Sequence, residues 1–265
     1  MKLHIHCRTD VPWGAMRLDD FRAQVQDINI NGGPPERVST GDVIQLWERA
    51  YGLSFFGYRE TLKRVCYASI REWCDAAKVT YTRGVWSGAH GDIVVPVDDD
   101  DIILPDVLRV LSYFEDDSSI DLVVWNRVTV HHGRQQEAEK VTHYLDTNNW
   151  AIRGSFLESF PVGERLGIVL KHQLANKWIQ KRYGIKKGTS SAISPTYFQD
   201  NKGKRFDGCP QVLYVPQTWS LYFRHSASIS WLAVQKDIEH VRSKPLHPLF
   251  DMTIYECVMR ERGAA

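Results

Sequence analysis

Four consecutive carboxylates, Asp98, Asp99, Asp100 and Asp101, follow the apolar run Ile93-Val-Val-Pro-Val97. Adjacent carboxylates repel one another, and a divalent cation is their natural neutraliser. The run before them is short, β-branched and uncharged, which predicts a fully buried strand of a parallel sheet. The quartet then stands at the strand's carboxyl end, where open α/β sheets bind ligands. Pro105 suits the first turn of a helix carrying Val107, Leu108, Val110 and Leu111. A second set of groups lies in Leu3-His-Ile-His-Cys7, where alternation puts His4 and His6 on one face of a strand. A third lies between Arg165 and Arg205, where ten basic residues face one acid, Asp200. That segment carries +9 in a chain of net charge +1, so the remainder carries −8, an asymmetry that suits an anionic partner.

The elements that must position these groups follow from pattern. Residues 2 to 7 open as a strand, and Leu18 to Ile28 has helical spacing. Ser39-Thr-Gly-Asp42 supplies capping chemistry for a helix through Trp47 and Tyr51, and a longer amphipathic helix is predicted from about Tyr58 to Ala77. Val79 to Thr82 reads as a strand ahead of the central one. Ile120 to Thr129 is a further buried strand, Gly133 to Lys140 a hairpin-like excursion, and Tyr144 to Arg153 extended. Leu166 to Tyr183 is helical, residues 184 to 210 form a basic loop, and Val212 to Val215 and Trp219 to Arg224 are two strands before a helix through His240. Strands alternating with helices argue for an α/β chain with a mostly parallel sheet flanked by helices.

With 265 residues, 43% of them hydrophobic and 25% charged, the chain is long and apolar enough for a proper core and unlike a disordered one. No apolar run approaches the ~20 residues of a membrane span, and Met1-Lys2-Leu3 leads straight into a strand, so a cytoplasmic protein is expected, in the host cytoplasm if the chain is viral. Five widely spaced cysteines without a Cys-x-x-Cys pair predict free thiols.

Three stretches together resemble one family. Gly91-Asp-Ile-Val-Val-Pro-Val-Asp-Asp-Asp-Asp-Ile-Ile-Leu-Pro-Asp looks like the strand, DxD motif and following helix of nucleotide-sugar glycosyltransferases of the GT-A fold, family 2-like. Asp146-Thr-Asn-Asn-Trp-Ala-Ile-Arg resembles their acceptor-side strand, and Ser220-Leu-Tyr-Phe-Arg-His-Ser-Ala-Ser-Ile-Ser their C-terminal Tyr-x-Arg-His segment. The resemblance implies a GT-A-like (Rossmann-like) single domain, with a donor-binding half over residues 1–115, an acceptor-binding half over 116–245 and a tail over 246–265. It further implies Mn2+ or Mg2+ as cofactor and a nucleoside-diphosphate sugar, a UDP-sugar first, as donor. Asp100 would ligate the metal, Asp98 would contact the donor ribose or the metal through water, and His225 would add a ligand from the C-terminal side. Asp99, Arg8, Thr9 and Asp10 would lie about the nucleotide, and Asp101 would cap the next helix or brace the loop.

The sequence also departs from that family. The usual first-strand ending is replaced by His4-Ile-His-Cys-Arg-Thr-Asp10, and the Glu-Asp pair that supplies a general base is absent. Glu164 and Asp146 are candidate substitutes, read equally well as a surface carboxylate and a strand-end cap respectively, and neither inversion nor retention is singled out. For the acceptor, Asn148, Asn149 and Trp150 sit in the acceptor-side stretch, and Lys181, Arg182, Lys186 and Lys187 are interleaved with Trp178, Tyr183, Tyr197 and Phe198. Such a segment suits phosphate tracking with aromatic stacking, so an anionic acceptor, DNA through a modified base or a phosphorylated glycan or lipid, is one reading beside a polysaccharide or lipid-linked oligosaccharide acceptor and a plain solvated face. Two readings of other classes compete. His4-x-His6 resembles the opening of metal-dependent hydrolases, though no Asp-x-His follows late in the chain, and a non-catalytic nucleic-acid-binding protein would use the basic segment but leave the acidic quartet without a task.

Overall fold

The computed structural model describes residues 1–7, 11–21, 40–84, 87–131, 134–135, 148–159, 212–228 and 246. These fall in two compact units, one drawn from residues 1–10, 66–129 and 136–222 and the other from 11–65, 130–135 and 223–265.

The first unit is organised by strand β1 (Leu3–Cys7), whose five residues are all buried. It is flanked by β2 (Thr80–Arg83) and β3 (Ile93–Val97), both parallel to it, with Cys7 opposite Arg83 on one side and Val97 on the other. β3 is buried at every position, as its β-branched, uncharged composition dictates. Beyond it come β4 (Ile102–Ile103), β5 (Leu122–His131), β7 (Trp150–Arg153) and β8 (Val212–Arg224), and the sheet runs β2-β1-β3-β7-β5-β8-β4, with a short β6 (Arg134–Gln135) pairing β5.

The mostly parallel sheet expected from sequence is in fact mixed. β7 pairs antiparallel with both β3 and β5, and β4 pairs antiparallel with β8. β5 therefore runs in the same direction as β3, as a crossover would have it, but β7 inserts between them and turns both ladders antiparallel. Apolar composition reports that these strands are buried, not which way their neighbours run. β8 is likewise one strand through Pro216, where sequence suggests two.

Helices cover the sheet. Residues Pro105–Arg109 form a 3-10 turn that leads into the helix Val110–Asp116, so the Pro at the first turn is placed as predicted. Ile5, Val95, Val107, Val110, Phe114, Trp125 and Trp219 share one core with Tyr67, Ile70 and Cys74 of the long helix Phe55–Ala77. The Trp125 and Trp219 rings lie 5.4 Å apart. Arg153 ties β7 to this layer: its Nε donates to the Ile120 carbonyl at 2.9 Å, Nη2 donates to that of Phe114 at 3.1 Å, and the guanidinium stands over the Phe114 ring.

Glycine is required just before β3 and just after β7, where those strand ends pass close to other backbone. A Cβ on Gly91 would stand 2.8 Å from the Lys2 carbonyl, and one on Gly154 would stand 2.8 Å from that of Gly91, so backbone passes too close for any side chain.

In the second unit, the helix Thr40–Tyr51 carries the predicted Trp47, which packs with Trp13, Phe21, Ile44, Phe55, Tyr58 and Leu62. The Trp47 indole donates to Ser226 Oγ at 2.9 Å, and the Arg59 guanidinium lies 4.7 Å over the Trp13 ring. No helix among the described residues is long and apolar enough to cross a membrane.

Candidate metal centre

The acidic quartet is a turn pinned at both ends. Val97 closes β3 before it, and after it Ile102 pairs with Leu221 while the Leu104 amide donates to the Trp219 carbonyl at 2.8 Å. Within the turn the Asp101 amide reaches the Asp98 carbonyl at 3.4 Å. Because the strands on either side are fixed, the turn folds three of its carboxylates together: one oxygen each from Asp98, Asp100 and Asp101 lie within 4.8 Å of one another. Among the described residues this is the one group of three metal-capable side chains so placed. Asp98 and Asp100 are half-buried and Asp101 is buried. Asp99 is buried too, outside that group.

Asp101 does not cap the following turn. Leu104 occupies the capping position there, with no side-chain cap. Its carboxylate is held instead by Asn148, which is completely buried. Asn148 Nδ2 donates to Asp101 Oδ2 at 3.0 Å and to the Leu221 carbonyl at 3.2 Å. Two acceptors on the same amide nitrogen settle which way the amide faces. Its Oδ1 is buried with no hydrogen-bond partner among the described residues.

The donor set fits a hard divalent cation. Three carboxylate oxygens gathered at one spot carry concentrated negative charge, and oxygen-only ligands suit Mg2+ or Mn2+ over softer metals. The orphaned buried carbonyl of Asn148 adds an uncharged oxygen acceptor on the same amide that holds Asp101.

The remaining candidates are placed as follows. Asn149 is buried, its Nδ2 donating to the Trp125 carbonyl at 3.4 Å and its own carbonyl accepting from the Trp125 amide at 3.0 Å. Trp150 is fully buried at the start of β7. His225 is buried and belongs to the second unit, where its carbonyl accepts from the Ser228 amide. Arg8, Thr9, Asp10, Asp146, Glu164, Lys181, Arg182, Lys186 and Lys187 lie outside the described residues. The parallel register does bring the ends of β1 and β3 together, since Cys7 is opposite Val97.

His4 and His6 are both buried on β1 and bridged by a residue sequence reasoning did not select, Thr82 of β2, opposite His6 in the register. The Thr82 hydroxyl lies 2.6 Å from His4 Nε2 and 2.9 Å from His6 Nδ1. The His90 amide donates to His4 Nδ1 at 3.1 Å. His4 therefore accepts at Nδ1 and carries its proton at Nε2, which donates to Thr82, and the same hydroxyl lies within hydrogen-bond distance of His6 Nδ1. Burial, with His6 and His90 close by, pushes His4 down to about 3, and burial with His90 pushes His6 down to about 4. Both rings are neutral at physiological pH. Both nitrogens of His4 are engaged within the protein, and the two histidines do not belong to the group of three metal-capable side chains found among the described residues. The only sequence signal for Thr82 was its place in a strand next to β1; the one for His90 was its place in the loop before β3.

No family model matches this sequence, and no curated protein matches it. A search of solved structures finds a match to residues 1–349 of TarS from S. aureus, at 12% identity and a TM-score of 0.35, over 84% of this chain and 60% of that one. The chain thus spans about 60% of the length of that structure.

Proposed function

We propose that the protein is a metal-dependent glycosyltransferase that moves a sugar from a nucleoside-diphosphate sugar to an acceptor. The observation that supports this most is the meeting of Asp98 and Asp100, in Asp-x-Asp spacing, with Asp101 at the carboxyl end of a fully buried strand. A divalent cation bound there would offset the charge that develops on a departing diphosphate. In this reading Asp100 and Asp101 are cation ligands, and Asp98 faces the donor or shares the cation. Arg8, Thr9 and Asp10, which follow β1 in the sequence, are proposed to hold the nucleotide, with Asp99 beside it. His225 is proposed as a further ligand on the strength of its sequence context. Residues 1–115 are assigned to the donor and 116–245 to the acceptor, with Glu164 or Asp146 as general base if the reaction inverts. The acceptor is proposed to be anionic, DNA or a phosphorylated glycan or lipid, because of the +9 segment from Arg165 to Arg205.

The test is a thermal-shift screen of nucleoside-diphosphate sugars with and without Mn2+. A stabilisation that needs both ligand and metal and vanishes in Asp100→Ala is expected. If no nucleoside-diphosphate sugar shifts the transition in the presence of Mn2+ or Mg2+, the proposal falls.

A further inference from the structure

We infer that Asn148 is the positioning residue of the cation site: its amide locks Asp101 so that one carboxylate oxygen is presented with those of Asp98 and Asp100. This rests on the reading of the strand-end cluster as a cation site. Asp101 is almost wholly buried, and a buried carboxylate needs donors to hold it ionised. Asn148, 47 residues away in sequence and buried as completely, supplies one to Oδ2. The same nitrogen donates to the Leu221 carbonyl, and Leu221 pairs with Ile102, the residue after Asp101. A single amide group thus fastens the carboxylate to the strand that fixes the turn's exit.

Two consequences separate this arrangement from a merely structural hydrogen bond. Asp101 has two oxygens, one of which is occupied by Asn148, so the orientation of the other is set before any cation arrives. Asn148 Oδ1 is then a buried acceptor with no donor among the described residues, a group that an O–H donor would satisfy.

The experiment measures binding of Mn2+ alone to the full chain, from the free-ion EPR signal, in wild type, Asn148→Ala, the near-isosteric Asn148→Leu, Asp101→Ala and the double variant Asp101→Ala/Asn148→Ala. Loss of an outer partner of a metal ligand typically weakens affinity about 10–100-fold, and Asn148→Ala and Asn148→Leu are expected to do so. Because Asn148 acts through Asp101, Asn148→Ala should weaken binding no further once Asp101 is alanine. Circular dichroism identifies which variants fold, and Asn148→Leu, which keeps the side-chain volume, carries the test if the alanine variant does not. Unchanged affinity in a folded Asn148 variant would overturn this inference and leave the cation site standing, as would equal losses with and without Asp101. Failure of the wild type to bind Mn2+ would overturn the cation site and the inference with it.

Discussion

Acidification should destabilise this protein through His4 and His6, and the structure sets the size of the effect. An unfolded histidine titrates near 6.5, whereas in the fold His4 is held at about 3 and His6 at about 4, burial being the main cause in each. The folded values lie below the unfolded ones, so the stabilisation is full above pH 6.5. It is lost as pH falls from 6.5 towards 4 and then 3, because the unfolded chain takes up protons that the folded rings refuse. The geometry gives the reason: a proton added to His4 Nδ1 would face the His90 N–H that now donates to it. At pH 5 an unfolded histidine is nearly all charged while both folded rings remain neutral, which costs about 2 kcal/mol for each ring and about 4 kcal/mol for the pair. The assay is urea unfolding of wild type and His4→Gln/His6→Gln at pH 7.5 and pH 5. Carboxylates titrate alike in both proteins, so the difference between the two pH-induced losses isolates the histidines. Wild type should lose several kcal/mol more than the variant on going to pH 5. A difference below about 1 kcal/mol would refute the picture of two rings buried in the neutral form.

Other outcomes can be stated more briefly. Gly154→Ala would drive a Cβ to 2.8 Å from the Gly91 carbonyl and 3.2 Å from that of Asp92, both backbone atoms with little room to yield. Overpacking of this kind costs about 1–3 kcal/mol, more than the gain of up to about 1 kcal/mol in helix propensity, so the thermal midpoint should fall by several degrees; an unchanged midpoint would show that the loop can retreat. Replacing Lys181, Arg182, Lys186 and Lys187 together by alanine should weaken binding to single-stranded oligonucleotides and make its salt dependence shallower by about 3 in log–log slope, if the segment tracks phosphates. Fluorescence anisotropy across a salt series measures this, and binding indifferent to the four changes would remove the nucleic-acid acceptor.

Much of the frame can be read from residue order because burial leaves a periodic trace. Ile93 to Val97 is recognisable as a covered strand, Pro105 marks the following turn, and the spacing of Leu62, Cys66, Ile70 and Trp73 shows one face of a long helix. The acidic quartet and its place at a strand's end follow from those neighbours, so a cation site could be suspected from sequence. What composition cannot carry is direction and partnership. β7 is as apolar as a parallel strand, yet it runs antiparallel between β3 and β5, because strand direction depends on how the chain returns rather than on which side chains are buried. Residue order offers Asp101 only as a helix cap or a loop brace, whereas the fold brings Asn148 to it across 47 positions, and Thr82 gains meaning only once the register of β1 and β2 sets it between His4 and His6. Residue order is enough to mark the buried strand and the charge at its end. Which carboxylates converge, and which neutral groups hold them, was decided by the tertiary structure, because hydrogen bonds between distant segments depend on three-dimensional register and leave no local period to read.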